Sequence, residues 1–247
     1  MKKALFNWSG GKDSSICLHK VLEAGEYEVA SLLTTVSEQY QRISQHGVRV
    51  DLLEKQAESI GIQLYKAMVP EWPTMESYNE LMSQTLSLFK EEGLSASIFG
   101  DIFLEDLRKY REEQLAKVGF QGVFPLWKIP TDELAKEFIS LGFKAVIVCV
   151  DEKYLDERFV GREFDASFLK DLPKGIDPCG ENGEFHSFVY DGPIFSAPIQ
   201  FKRGEVVNRK YQPRNTDNED GEQHHSGTAP VPVTGFWYCD LISTYVN

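Results

Sequence analysis

ALFNWSGGKDS, residues 4–14, decides the fold, because an apolar strand leads directly into a glycine-rich turn and then into a helix. Ala4 to Trp8 has strand length and character, and from Ser14 to Ala24 apolar residues recur on one helical face. In an open sheet this turn lies at the carboxyl edge, where the first amides of the helix carry partial positive charge. The turn therefore predicts a phosphate-binding loop.

The residue types of this loop suit the phosphates of a nucleotide. Gly10 and Gly11 have no Cβ, so the backbone can approach a ligand closely and adopt unusual dihedral angles. The hydroxyls of Ser9 and Ser14 can donate to phosphate oxygens, and Lys12 adds positive charge. We therefore predict that all of these residues bind the nucleotide.

Asp13 is the unusual member of the loop, because a carboxylate would stand beside phosphates. It either helps to hold a magnesium ion or caps the following helix. The spacings GxxxxGK[ST] and GxGxxG of other nucleotide-binding loops are absent. A glycine turn that only starts a helix is the simpler alternative, but the full hexapeptide at the first strand-to-helix turn favours phosphate binding.

Strand and helix patterns alternate outward from the loop through the first half of the chain. Apolar runs predict strands at 29–36, 64–69 and 97–99, with amphipathic helices between them. This order is typical of an α/β domain with an open parallel sheet and flanking helices. Asp101 follows the last of these strands, where it either contacts the nucleotide or caps the next helix. On that helix, Arg111 is expected to lie on a solvated face.

The second half of the chain differs in character from about Pro125 onward. We predict one domain over 1–125 and a smaller α+β domain over 126–247, with a helix at 131–141 that Thr131 caps and a strand at 145–150. Short strands are expected at 187–190, 199–201 and 206–211. The polar, acidic stretch 213–232 predicts a mobile insertion within a hairpin that closes at 235–241.

DPCGENGEFHS, residues 177–187, is the second segment rich in chemistry. Its Asp-Pro start and two glycines predict a tight, fixed loop. Glu181, Glu184 and His186 are candidates for binding an amine or ammonium, or for relaying protons. An ordinary polar turn between strands is the alternative. A metal site is less favoured, because the spacing of these three residues is not characteristic of metal ligands.

Composition excludes several classes of function. The net charge of −12 disfavours non-specific binding to nucleic acid or to an anionic membrane. The four cysteines form no CxxC pair, so we expect reduced thiols. No stretch approaches the ~18 apolar residues of a membrane span, so we expect a cytoplasmic protein.

The loop SGGKDS resembles the PP-loop of N-type ATP pyrophosphatases, and residues 177–187 are similar to a signature of the diphthine–ammonia ligase family. Asn182 stands where some members of that family have glycine. Further similar segments extend the resemblance over nearly the whole chain; they are Gly100-Asp101, Pro125-Leu126-Trp127, Gly161-Arg162 and residues 237–241. The insertion at 213–232 looks longer than the family requires. The resemblance therefore does not define which surface binds a partner.

The resemblance implies a nucleotide-binding domain of PP-loop (HUP) type that uses ATP. We expect Mg²⁺ to accompany the ATP, with Asp13 as the metal ligand. A substrate carboxylate would be adenylylated with release of pyrophosphate and then amidated with ammonia. Lys12, Asp13, Glu181, Glu184 and His186 would be the catalytic residues, and Thr34 would lie where adenine or ribose passes.

Several alternatives to this predicted activity are compatible with the sequence. The carboxylate could belong to a modified protein histidine or to a small molecule. The enzyme could instead act on a modified base, or the chain could bind nucleotide without turnover. The sequence also leaves a homodimer open.

Overall fold

The computed structural model describes residues 1–43, 47–70, 73–211 and 234–244, which form two β-sheets and six helices. The strands are β1 (Lys2–Asn7), β2 (Tyr27–Ser37), β3 (Arg42–Ile43), β4 (Leu64–Val69), β5 (Ala96–Ile98), β6 (Gln121–Val123), β7 (Lys144–Asp151), β8 (Phe185–Asp191), β9 (Phe201–Tyr211) and β10 (Thr234–Ser243). The helices are α1 (Lys12–Ala24), α2 (Val50–Ile60), α3 (Met75–Glu91), α4 (Glu105–Val118), α5 (Thr131–Ser140) and α6 (Ala166–Asp171).

The first sheet is parallel in the order β4-β2-β1-β5-β6, with the short β3 antiparallel to the end of β2. Successive residues of β1 point to opposite faces: Phe6 packs with α1 and α2, whereas Leu5 packs with α3 and α4. Both faces are therefore covered by helices, as parallel sheets require. The predicted α/β architecture is confirmed.

The second sheet is antiparallel in the order β8-β7-β10-β9. Its central strand β7 is buried from Ala145 to Val150, in agreement with the strand predicted at 145–150. One hydrophobic cluster continues from Phe6 and Leu18 into Val148 and Phe188, so the two sheets share a core. As a result, β8 is held close to the phosphate loop.

Some local predictions were wrong. Thr131 does not cap α5; Pro130 holds the cap position, and the Thr131 hydroxyl donates to Asp177 Oδ2 at 2.6 Å. The strand expected at 199–201 begins only at Phe201, and the three-residue β6 was not predicted. The insertion predicted at 213–232 lies outside the described residues, and the domain division near Pro125 stays a prediction.

All four cysteines are buried and none forms a disulfide. Within the described ranges, none of the helices combines the length and apolar character that a bilayer crossing requires.

Candidate active site

A cavity of about 660 Å³ opens at the carboxyl edge of the first sheet. Three segments meet around it: the phosphate loop at the start of α1, the turn after β5, and the loop 177–187, whose last three residues begin β8. The predicted site residues that line the cavity are Ser9, Gly11, Lys12, Asp13, Ser14, Thr34, Asp101, Glu181 and His186. Gly10 and Glu184 are the two candidates that do not belong to its lining.

The hydroxyls of the phosphate loop lie together at the mouth of α1. Ser9 Oγ and Ser14 Oγ are 3.1 Å apart, and the Gly11 N–H donates to Ser9 Oγ at 3.3 Å. Ser14 Oγ also donates to the Gly11 carbonyl at 2.9 Å. The α1 N-cap, Gly11, offers no side chain to the first amides of the helix, so the positive end of the helix dipole faces the cavity. The acidic residue of this first turn, Asp13, is paired with Lys12.

The two glycines of the loop do different things. Gly10 has φ +75°, and an added Cβ would lie 2.6 Å from Gln56 Oε1, so this position requires glycine. Gly11 has φ −91°, which any residue adopts, and is the one that faces the cavity. The conformational freedom that both glycines offer is therefore used at Gly10 and not at Gly11.

Lys12 is buried between the two loops. Its ammonium contacts both oxygens of Asp13, at 2.7 and 3.0 Å, and donates to the Cys179 carbonyl. Burial alone would lower the pKa of Lys12, but the Asp13 carboxylate raises it on balance, so the ammonium stays charged. Its backbone N–H donates to Ser187 Oγ at 3.1 Å. Lys12 thus places a fixed positive charge where the phosphate loop meets residues 177–187.

Glu184 holds the 177–187 loop together from inside. Its carboxylate is 2% exposed and accepts hydrogen bonds from the Asp177 N–H at 3.2 Å, the Asn182 N–H at 3.0 Å and Asn182 Nδ2 at 3.0 Å. These donors surround the carboxylate with its own loop. The structure therefore favours a structural role for Glu184 over the predicted contact with substrate.

Replacing Glu184 by glutamine is expected to lower the free energy of unfolding by about 1–3 kcal/mol, because an amide nitrogen would face loop N–H groups that need an acceptor. Urea unfolding measures this change. The same substitution at the exposed Glu157 is expected to stay within about 0.5 kcal/mol of the unmodified chain. Equal stability of both variants would contradict the structural role.

Glu181 is the carboxylate of the loop that reaches the cavity. Its Oε1 accepts from the Ile102 N–H at 2.7 Å and lies 3.4 Å from the Phe103 nitrogen, which connects the loop to the turn after β5. Burial raises the pKa of Glu181 to about 7, against the opposing hydrogen bond from Ile102. This carboxyl group can therefore gain or lose a proton near neutral pH, as a general acid or base must.

His186 and Cys179 have pKa values that burial shifts away from neutrality. Burial lowers the pKa of His186 to about 4, with the Lys12 charge adding to the effect, so its imidazole is neutral at pH 7. Burial raises the pKa of the Cys179 thiol, whose Sγ donates to the Thr131 carbonyl at 3.3 Å. His186 thus faces the cavity as a neutral donor or acceptor, and Cys179 is not an activated thiol.

Arg111 belongs to the cavity wall, and the expectation of a solvated helix face is wrong. Its Nε lies 2.6 Å from Asp101 Oδ2, and its guanidinium stacks over the Phe99 ring at 4.4 Å. Asp101 is therefore neutralised by Arg111 and does not cap α4, whose N-cap is Leu104. The pair forms the wall of the cavity on the side of α4.

Asp13 can serve as one ligand to Mg²⁺. Both of its oxygens contact Lys12, but each retains a further lone pair. No group of three or more His, Cys, Asp or Glu side chains in the described part of the chain could hold a metal by itself. A single carboxylate fits Mg²⁺, which commonly takes its other ligands from phosphates and water.

Family models and curated relatives match most of the chain. Models of the diphthamide synthase N-terminal and C-terminal domains match residues 1–122 and 130–215. Diphthine–ammonia ligases from Bos taurus and Homo sapiens are each 28% identical over 225 residues, which cover 81% of this chain and 82% of theirs. The U34-tRNA thiolase NcsA from Methanococcus maripaludis is 19% identical, with a TM-score of 0.35 over 57% of each chain. A TM-score that low adds nothing to the fold described above.

Proposed function

Because the chain belongs to the diphthamide synthase family of diphthine–ammonia ligases, we propose that it is an ATP-dependent ligase that adenylylates a substrate carboxylate and then amidates it with ammonia. The acceptor that the family suggests is a diphthine-type modified histidine on a protein. A small-molecule carboxylate is the alternative acceptor.

One observation carries this proposal: the phosphate loop and the 177–187 loop face the same cavity and touch each other through Lys12. A nucleotide held at the mouth of α1 would thus lie beside Glu181 and His186. The two reaction steps, attack at a phosphorus and attack by ammonia, need adjacent sites because the acyl adenylate must stay sequestered from water.

In the first step, the substrate carboxylate would attack the α-phosphorus of ATP, and the bond to pyrophosphate would break. The first amides of α1 and the hydroxyls of Ser9 and Ser14 would bind the departing pyrophosphate, with Lys12 supplying fixed positive charge. When bound at Asp13, Mg²⁺ would neutralise phosphate charge. These groups are preorganised, so little rearrangement is needed as charge develops.

In the second step, ammonia would attack the acyl carbon, and the bond to AMP would break. The attacking nitrogen must lose a proton as the amide forms. Glu181 is the group we propose to accept it, because its carboxylate reaches the cavity and its pKa is close to neutral.

The products test the reaction type. The chain is incubated with Mg-ATP, ammonium and either a diphthine-bearing protein or a panel of small carboxylic acids. AMP, pyrophosphate and an acceptor in which an amide has replaced the carboxyl group are expected, as measured by chromatography and mass spectrometry. Formation of ADP and phosphate would exclude adenylylation, and tight ATP binding with no AMP from any acceptor would favour a nucleotide-binding module without turnover.

Replacing Glu181 by glutamine is expected to flatten the pH dependence of amidation. Below about pH 7 the Glu181 carboxyl is protonated and cannot accept a proton, so the rate ratio of unmodified chain to variant should rise from about pH 6 to about pH 8. Taking the ratio removes the pH dependence of ammonia itself, which both proteins share. A ratio independent of pH would remove Glu181 from the proton transfer.

Stability gives a readout of the same carboxyl group without turnover. The folded chain retains the Glu181 proton up to about pH 7, whereas the unfolded chain releases it near the ordinary glutamate pKa. The contribution of Glu181 to stability is therefore present at low pH and lost as pH rises through about 7. Urea unfolding should show this loss in the unmodified chain relative to Glu181→Gln.

A further inference from the structure

Gln56 is a fully buried polar side chain that the proposed chemistry does not use. It lies on α2, on the face that also buries Leu52, Leu53 and Ala57. Burying an amide among apolar side chains costs free energy unless every polar atom is hydrogen-bonded. The position of Gln56 is therefore explained by the groups that its amide contacts.

Three hydrogen bonds satisfy the Gln56 amide. Oε1 accepts from Trp8 Nε1 at 3.0 Å, and Nε2 donates to the carbonyls of Gly10 at 3.0 Å and Val189 at 2.6 Å. Trp8 can only donate and the two carbonyls can only accept, so this network determines which end of the amide is oxygen. Gln56 thus connects the residue that follows β1, the phosphate loop and β8.

The Gly10 carbonyl is held from two sides, because the Val189 N–H also donates to it at 2.9 Å. Gly10 C=O and Gly11 N–H belong to one planar trans peptide, so they point in opposite directions. With the carbonyl directed toward Gln56 and away from the cavity, the Gly11 N–H points toward Ser9 Oγ and the side of the cavity.

Within the loop, the long 3.3 Å hydrogen bond from the Gly11 N–H to Ser9 Oγ is the contact that bears on this orientation. Both residues that flank the peptide are glycines, which adopt positive and negative φ at similar cost, so the peptide could rotate and present its carbonyl to the phosphates instead. A carbonyl oxygen facing a phosphate would repel it, whereas an N–H would bind it. The two shorter hydrogen bonds, which hold the Gly10 carbonyl, come from outside the loop.

We propose that Gln56 is a positioning residue of the phosphate site: it fixes the Gly10–Gly11 peptide so that the Gly11 N–H faces the phosphates of ATP. This inference rests on the proposed function, since it presumes that the loop binds phosphates. The effect of Gln56 is confined to the phosphates and does not extend to the nucleoside.

Gln56→Met tests the proposal, because methionine keeps the length of the side chain and removes both donors. Isothermal titration calorimetry with Mg-ATP and with adenosine distinguishes the contribution of the phosphates to affinity from that of the nucleoside. We expect the Kd for Mg-ATP to rise about 10- to 100-fold and the Kd for adenosine to change less than about twofold. Gln84→Met, on the exposed face of α3, is the matched control and should change neither.

The outcomes separate this inference from the proposed function. If the unmodified chain binds ATP no better than adenosine, the proposed function fails. If the unmodified chain prefers ATP and folded Gln56→Met retains that preference, or loses affinity for both ligands equally, the inference is overturned. If Gln56→Met does not fold, Gln56→Glu tests the inference instead, because glutamate keeps the shape of the side chain and the acceptor for Trp8. An undiminished preference of Gln56→Glu for ATP over adenosine would overturn the inference.

Discussion

Replacing Lys12 by methionine is expected to reduce the rate of AMP formation by about 10³-fold or more. The substitution removes the positive charge at the junction of the two loops and leaves the Asp13 carboxylate without its ion pair. An uncompensated carboxylate beside the phosphates would repel them. The Cys179 carbonyl would also lose its donor, so the 177–187 loop would no longer be tied to α1. Steady-state kinetics and calorimetry with Mg-ATP measure both effects.

Two further variants separate catalysis from folding in this experiment. Lys20→Met removes another ion-paired lysine of α1, whose partner is Glu137, and should leave the rate within about twofold because Lys20 lies outside the cavity lining. The double variant Lys12→Met with Asp13→Asn removes both charges and should recover stability but not activity. Recovery of activity in the double variant would show that Lys12 only neutralises Asp13.

Replacing Gly10 by alanine is expected to lower both stability and ATP affinity. A non-glycine residue at positive φ costs about 1–2 kcal/mol, and the new Cβ would lie 2.6 Å from Gln56 Oε1. Relief of that contact must displace either the loop or Gln56, so the Kd for Mg-ATP should rise about tenfold or more. Thermal unfolding and calorimetry measure the two changes.

Gly25→Ala is the matched control for this prediction. Gly25 ends α1 at φ +62°, but an added Cβ would meet nothing within 4 Å. It therefore carries the backbone cost of Gly10→Ala without the contact, and its ATP affinity should be unchanged. If the two variants lose stability equally and bind ATP alike, the close packing of Gly10 against Gln56 has no functional consequence.

The parts of the fold that were predicted correctly are those that local sequence determines. The unit from β1 through the loop to α1 is contiguous, and its apolar periodicity and glycines are sufficient to place it. The cap of α5 was mistaken because Thr131 bonds Asp177, a partner 46 residues away that no local pattern reveals. The exact start of β9 and the three-residue β6 similarly depend on pairing with distant strands.

The sequence predicted which residue types form the candidate site, but not which of their side chains point into the cavity. Glu181 and Glu184 are chemically alike, and only the path of the loop sends one into the cavity and the other into its own backbone. Gly10 and Gly11 differ because Gln56, distant in sequence, approaches one of them. A signal for Gln56 was available: it is a polar residue in the apolar pattern of α2. Arg111 gave no comparable signal on its charged helix.

The hydrogen bonds from β8 to the phosphate loop have a consequence for biosynthesis. The Val189 N–H and the Ser187 hydroxyl complete the contacts of Gly10 and Lys12, yet the ribosome makes them long after the loop has emerged. A nascent chain that ends before β8 can build most of the parallel sheet, but it lacks these partners. The ability to bind nucleotide is therefore acquired late in translation. An arrested chain should bind nucleotide only once residues through about 190 have left the exit tunnel.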